Sequence, residues 1–180
     1  RQYCNKISYI IYNKFKKIKN AIVSKGEIII STGGTGGHIF PAQAIAEKLY
    51  LEGYKIRLVC DQRALKYCDG IFRKIKKTMI FSLPPKNKIS IKISNLLLLS
   101  MSLLKLVLVL MFRRPKLIIA FGGYTSCPAS LYSIIFSIPL FLHEQNIIIG
   151  QVNRFFLPFA NKLFISFPNS IMYYVTYIFK

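Results

Sequence analysis

The sequence predicts an α/β fold: a Rossmann-like parallel sheet with helices on both faces. Two observations carry that expectation. Short β-branched apolar runs alternate about six times with helix-like segments, the pattern that winds a parallel sheet with right-handed crossovers. Three polar, glycine-bearing stretches, residues 33–38, 122–126 and 143–150, each follow one of those apolar runs. Ligands of such sheets bind beyond the carboxyl ends of the strands, so all three stretches are expected on one rim.

Taken in order, residues 28–31 read as a first strand, continuous and β-branched as in a strand buried on both faces. A helix follows, with Pro41 near its first turn and Ala42, Ile45, Ala46 and Leu49 at i, i+3, i+4 and i+7. Gly53 closes it. Residues 55–60 form the second strand and 78–81 the third, which Pro84 and Pro85 end. The apolar stretch 96–112 is a helix stopped by Pro115; 117–121 is the fourth strand, and 128–136 a helix. A fifth strand at 139–142, a helix at 151–159 and a sixth strand at 163–165 complete the set.

The chain has 180 residues, 53% of them hydrophobic, enough for one domain with a real core. Lys and Arg number 26 against 6 Asp and Glu, a formal charge of +20. Nucleic acid, an anionic membrane face or a phosphorylated substrate could each answer that field. Residues 1–26 read as a basic leader, disorder being one reading, with seven Lys or Arg and no acid in the first 25 residues. They lack the apolar core and cleavage site of a secretory signal. The 96–112 stretch is at the short edge of what spans a bilayer. A buried or half-exposed helix is the preferred reading, and lying on an anionic membrane surface is compatible with flanking Lys86, Lys88, Lys92, Arg113 and Arg114. Cys4, Cys60, Cys68 and Cys127 form no zinc spacing and read as reduced thiols.

Four glycines between a strand and a helix let the backbone pass close to a ligand and point helix N–H groups at an anion. The turn fails the familiar phosphate fingerprints. A dinucleotide motif starting at Gly34 meets Ile39 where its third glycine belongs, and a P-loop would need Gly-Lys where the glycines run into His38. Asp61, at the end of the second strand, stands where a dinucleotide fold places its ribose-binding acid. No two carboxylates sit two residues apart, so the Asp-x-Asp device that holds a metal against a nucleotide diphosphate is absent; neither metal nor cofactor is expected. His38 and His143, the only histidines, both fall on the expected rim, and Glu144 is either a functional acid or the cap of a following helix.

Three blocks, Gly33-Gly34-Thr35-Gly36-Gly37-His38-Ile39-Phe40-Pro41, Phe121-Gly122-Gly123-Tyr124-Thr125-Ser126-Cys127-Pro128, and His143-Glu144-Gln145-Asn146 with Gly150, Asn153 and Arg154, resemble the MurG-type N-acetylglucosaminyltransferases of peptidoglycan synthesis. The resemblance covers about residues 27–168. It implies the N-terminal, acceptor-binding domain of a two-domain transferase of the GT-B type, with 169–180 a truncated tail and the donor domain absent from this chain. The implied reaction is inverting and metal-independent: N-acetylglucosamine passes from UDP-N-acetylglucosamine to the 4-hydroxyl of undecaprenyl-pyrophosphoryl-muramoyl-pentapeptide. The implied location is the cytoplasmic face of the bacterial inner membrane, peripherally bound to its anionic surface, with no nucleic acid as partner. By the same resemblance, Thr35, Gly36, Gly37 and Asn146 contact the donor, and His38, Tyr124, His143, Glu144 and Asn153 line the acceptor side. His38 is the first choice of general base, since imidazole ordinarily titrates near ~6.5, and Glu144 the second. The alternative is a non-catalytic, basic membrane- or nucleic-acid-binding remnant of such a domain.

Overall fold

The computed structural model describes residues 26–81 and 89–167. Pro84, Pro85, Lys86, Lys88, Cys4, the tail from 169 and all of the basic leader except Gly26 lie outside the described residues, as does the side chain of Lys92. Six strands, β1 (Glu27–Ser31), β2 (Lys55–Cys60), β3 (Lys76–Met79), β4 (Leu117–Ala120), β5 (Leu140–Glu144) and β6 (Lys162–Ile165), form one sheet in the order β3-β2-β1-β4-β5-β6. Every pairing is parallel. Between them run helices α1 (Gly36–Leu51), α2 (Gln62–Leu65), α3 (Ile71–Lys74), α4 (Ile89–Leu110), α5 (Cys127–Ile135) and α6 (Gln151–Phe156), with 3-10 turns at Tyr124–Ser126 and Leu157–Phe159.

The pleat alternates side chains between the two faces, and the sequence supplies apolar residues for both. From β1, Ile28 and Ile30 pack with Ile39, Ala42, Ala46 and Phe72 of α1 and α3, while Ile29 packs on the other face with Leu106, Leu110, Ala129 and Tyr132 of α4 and α5. Two separate cores flank one sheet, as a doubly wound domain requires. The strand order reverses direction at the β1/β4 junction, where the β1 and β4 loops diverge to opposite faces and leave a crevice.

Several boundaries differ from the sequence-based expectation, among them the start of α4, at Ile89 where residue 96 was expected. Helix α1 begins at Gly36, with extended Thr35 as its N-cap, so Pro41 lies inside the helix, where it removes only the bond to the Gly37 carbonyl. β3 starts at Lys76, two residues before the expected 78–81, because Lys76 and Lys77 pair with Arg57 and Leu58 at the edge of the sheet. β5 runs on to Glu144, since His143 and Glu144 pair with Phe164 and Ile165 of β6. α2 and α3, each a single turn, carry no periodicity to announce them.

No helix among the described residues is long and apolar enough to cross a membrane. α4 buries Ser102, Leu106 and Leu110 and exposes Leu97, Met101, Leu104 and Leu108 along the opposite stripe. Burial pushes the Cys60 thiol up to about 12 and that of Cys127 to about 11, which leaves both protonated and unreactive.

Candidate active site at the switch point

The crevice floor is stitched together by main-chain and hydroxyl bonds between β1 and the loop after β4. Phe121 N donates to Ser31 O (3.0 Å), Ser31 Oγ donates to Thr125 O (3.3 Å), and Ser126 Oγ lies 2.7 Å from Gly122 O and 3.3 Å from Ser31 O. Gly33 has to be glycine: a Cβ there would sit 2.6 Å from Thr125 Oγ1 and 2.9 Å from its Cβ. The first two glycine blocks of the sequence are therefore packed into one another.

His38 stands in the first turn of α1, half-buried, with Nδ1 2.6 Å from the Phe121 carbonyl oxygen. Thr35 and Gly37 are exposed beside it, and Gly36 is half-buried. At the start of α1 the N–H groups of Gly36 and Gly37 have no carbonyl one turn earlier within the helix to bond, so they point outward with the positive end of the helix dipole. Tyr124 is exposed on the other bank, its hydroxyl 3.4 Å from Gln151 Oε1. The structure brings Thr35, Gly36, Gly37, His38 and Tyr124 to one rim.

The third block behaves differently. Asn146 is exposed, but His143, Glu144 and Asn153 are 0%, 1% and 1% exposed. The Glu144 carboxylate accepts from Asn146 N and Gly150 N at 2.9 Å, from Asn153 Nδ2 at 2.9 Å and from Gln145 Nε2 at 3.3 Å. It ties the loop 145–150 to β5 and α6. Asn153 Nδ2 also donates to His143 O (3.0 Å) and packs under Gly122. His143 stacks against Phe121 with ring centroids 4.9 Å apart, and neither ring nitrogen has a hydrogen-bond partner. Burial drives its pKa down to about 4. His143 and Asn153 thus underlie the rim, whereas the sequence placed them along the acceptor side. β5 ends two residues later than expected, which carries His143 into the sheet, and α6 turns Asn153 in beneath Gly122. Glu144, the second candidate base, has both oxygens engaged by N–H donors.

Two further neighbours of the crevice are Asp61, which the sequence placed where a dinucleotide fold has its ribose-binding acid, and Arg63, which carried no sequence signal of its own. Asp61, fully buried, caps α2 by accepting from Ala64 N (3.1 Å) and pairs with Arg63 at 2.7 Å, with Thr125 Oγ1 at 3.5 Å. Its carboxylate is committed to the protein, so it does not act as a ribose-binding acid. The Arg63 guanidinium that it holds lies over the glycine turn, 3.8 Å from where a Gly34 Cβ would be. Only the position of Arg63 just after β2 could have pointed to it.

A parallel sheet of this order, with a glycine-lined crevice at its switch point, defines the class: a Rossmann-type α/β domain of the kind found as one half of GT-B glycosyltransferases. Within that class, residues 28–165 match the glycosyltransferase family 28 N-terminal domain, and the chain belongs to that family. It is 39% identical over 144 residues to the UDP-N-acetylglucosamine–N-acetylmuramyl-(pentapeptide) pyrophosphoryl-undecaprenol N-acetylglucosamine transferase of Wolbachia sp. subsp. Drosophila simulans (strain wRi), covering 80% of this chain and 40% of that protein. To the transferase of the same name from Rickettsia canadensis (strain McKiel) it is 36% identical over 143 residues, covering 79% and 39%. The chain therefore spans about 40% of the length of these relatives. Among solved structures, the fold is similar to that of Acinetobacter baumannii MurG (TM-score 0.65, 23% identity, 82% of this chain and 42% of that one). It is also similar to CalG4, the calicheamicin glycosyltransferase (TM-score 0.52, 14% identity, 71% and 34%).

Proposed function

We propose that this chain is the acceptor-binding half of a transferase that moves N-acetylglucosamine from UDP-N-acetylglucosamine to the 4-hydroxyl of undecaprenyl-pyrophosphoryl-muramoyl-pentapeptide. The observation that carries the reading is the contact between His38 of the first glycine block and Phe121 of the second, which places an imidazole in the crevice of a family 28 domain. The names of the relatives supply the substrates.

In this reading His38 takes the proton of the acceptor hydroxyl as its oxygen attacks the anomeric carbon; the bond from that carbon to the diphosphate breaks, and UDP leaves with the electron pair. The N–H groups of Gly36 and Gly37, with Thr35, face the negative charge that builds on the diphosphate. Tyr124 contacts the acceptor, and Asn146 reaches the donor from the opposite bank. Glu144 and Asn153, with His143, act from beneath: the Glu144 cage holds the loop that presents Asn146. Donor contacts beyond these would come from a second domain that these residues do not include.

The same reading seats the domain on the cytoplasmic face of the bacterial inner membrane. Leu97, Met101, Leu104 and Leu108 give α4 an exposed apolar stripe, and exposed Lys105, Arg113 and Arg114 on or just beyond the helix suit anionic headgroups. Vesicle flotation tests the acceptor assignment directly. The chain should bind vesicles containing the lipid-linked muramoyl-pentapeptide more tightly than otherwise identical vesicles; equal binding, or a steep salt dependence on plain DNA without acceptor preference, sinks it. In a version carrying both domains, His38→Ala should lower turnover by about 10²-fold or more with little change in vesicle binding.

A further inference from the structure

An imidazole has two ring nitrogens, and in the neutral ring only one of them can accept a proton. Which one is free is set by what the other touches. Nδ1 of His38 lies 2.6 Å from the Phe121 carbonyl oxygen. A carbonyl oxygen can only accept, so the contact is attractive when Nδ1 carries the hydrogen, and Nε2 is then the nitrogen that keeps a lone pair to accept a proton.

The carbonyl is held in place from several sides. Phe121 N is bonded to Ser31 O at 3.0 Å, which anchors the preceding peptide, and with it the Phe121 Cα, to the end of β1. The chain then turns away through Gly122 (φ +80°) and Gly123 (φ +71°), a left-handed pair that side-chain-bearing residues rarely adopt. Ser126 N donates to Gly123 O at 3.0 Å and fixes the exit of the turn. Gly123 also lies directly against the ring: a Cβ there would be 3.7 Å from His38 Nε2 and 3.9 Å from its Cδ2. A longer side chain would lie over the nitrogen that has to stay open.

We propose that the Phe121 carbonyl and Gly123 form a positioning element that holds His38 as its Nδ1–H tautomer and keeps Nε2 open as the proton-accepting atom. The proposal rests on the reading of His38 as the base, and it adds which atom acts and what holds it.

The chain contains only two histidines, so long-range proton–nitrogen NMR of ¹⁵N-histidine-labelled protein resolves each ring, and His38→Gln assigns them by loss of a signal. At pH about 8.5, where imidazoles are neutral, the Nδ1–H form of His38 should exceed the Nε2–H form at least about fivefold, the weight of one ordinary hydrogen bond. Gly123→Ala should shrink that preference several-fold. A parent spectrum with the Nε2–H form equal or dominant overturns the proposal even if Gly123→Ala fails to fold; a folded Gly123→Ala protein with an unchanged ratio overturns the part given to Gly123. The base reading fails separately, if His38→Gln in a two-domain version keeps full turnover while the tautomer ratio of the parent stands as expected.

Discussion

The first and third polar blocks lie along the same rim, two strands apart, and use their polar residues in opposite ways. The 33–38 turn, together with the start of α1, presents backbone N–H groups and one half-buried imidazole outward. The 143–153 block turns its histidine, glutamate and asparagine inward and leaves a loop surface in their place. The difference lies in what each block does with chain length. Glycines in the first block let the backbone itself form the surface; in the third, long polar side chains fold under the backbone and hold it from below. One block is a surface, the other a support, and substitutions should separate them.

The largest effect is expected at the centre of the support. Glu144→Ala removes a carboxylate that is 1% exposed and takes the acceptor from four N–H donors, which should cost roughly 3–5 kcal/mol in urea unfolding of the chain. A loss under about 1 kcal/mol would show that water reaches those donors, and would return Glu144 to contention as a surface group acting on substrate.

How much of this could be read from the letters depends on which forces set each element. All six strands and the shared rim were legible, most directly β1 and β4, because parallel strands buried on both faces are continuously apolar and Ile28–Ile30 and Leu117–Ala120 are so, while β2 keeps the β-rich run despite Arg57. The place of Thr35, Gly36, Gly37 and His38 on that rim was legible too, since they follow directly on a buried strand and open a helix. The inward turn of His143 and Asn153 was not. A buried polar residue looks like an exposed one until its partners are known, and the partners here, the His143 carbonyl and Glu144 carboxylate for Asn153 and the paired strand β6 for His143, are set by tertiary packing. Arg63 was missed because its place over the turn depends on the Asp61 cap of a single-turn helix.

Somewhat smaller is the acid response of the support. His143 is buried with no partner for either nitrogen, and its folded pKa of about 4 lies below the ordinary 6.5. Above pH 6.5 both the folded and unfolded states hold it neutral, and nothing is lost. Between pH 6.5 and 4 the unfolded chain takes up a proton that the folded one refuses, so stability should fall by about 3 kcal/mol across that window and level off below it. His143→Leu should flatten that part of the pH–stability curve and, by removing two unsatisfied buried nitrogens, should not destabilise the chain at pH 7 by more than about 1 kcal/mol. Parallel curves for parent and variant would mean that His143 is solvated.

The smallest effects fall on the surface block, where two neighbouring glycines should answer the same substitution with opposite signs. Gly33→Ala drives a Cβ to within 2.6–2.9 Å of the Thr125 side chain, and the β-branched threonine, pinned against β1 through its own carbonyl, has little room to retreat. A loss of about 1–3 kcal/mol is expected. Gly37→Ala meets nothing closer than Thr35 Oγ1 at 3.8 Å and sits inside α1, where alanine is the better helix former, so the melting curve should shift upward by the equivalent of about 0.5–1 kcal/mol. A glycine that lowers stability, with open space around it, is there for something outside the chain. If Gly37→Ala stabilises the fold as expected and also weakens binding of a prenyl or nucleoside diphosphate, the glycine keeps the backbone bare for the ligand's approach. If it stabilises the fold and leaves diphosphate binding unchanged, the first two N–H groups of α1 are not the anion site, and the charge of the diphosphate has to be met elsewhere on the rim, with Arg63 over Gly34 the nearest guanidinium to test next.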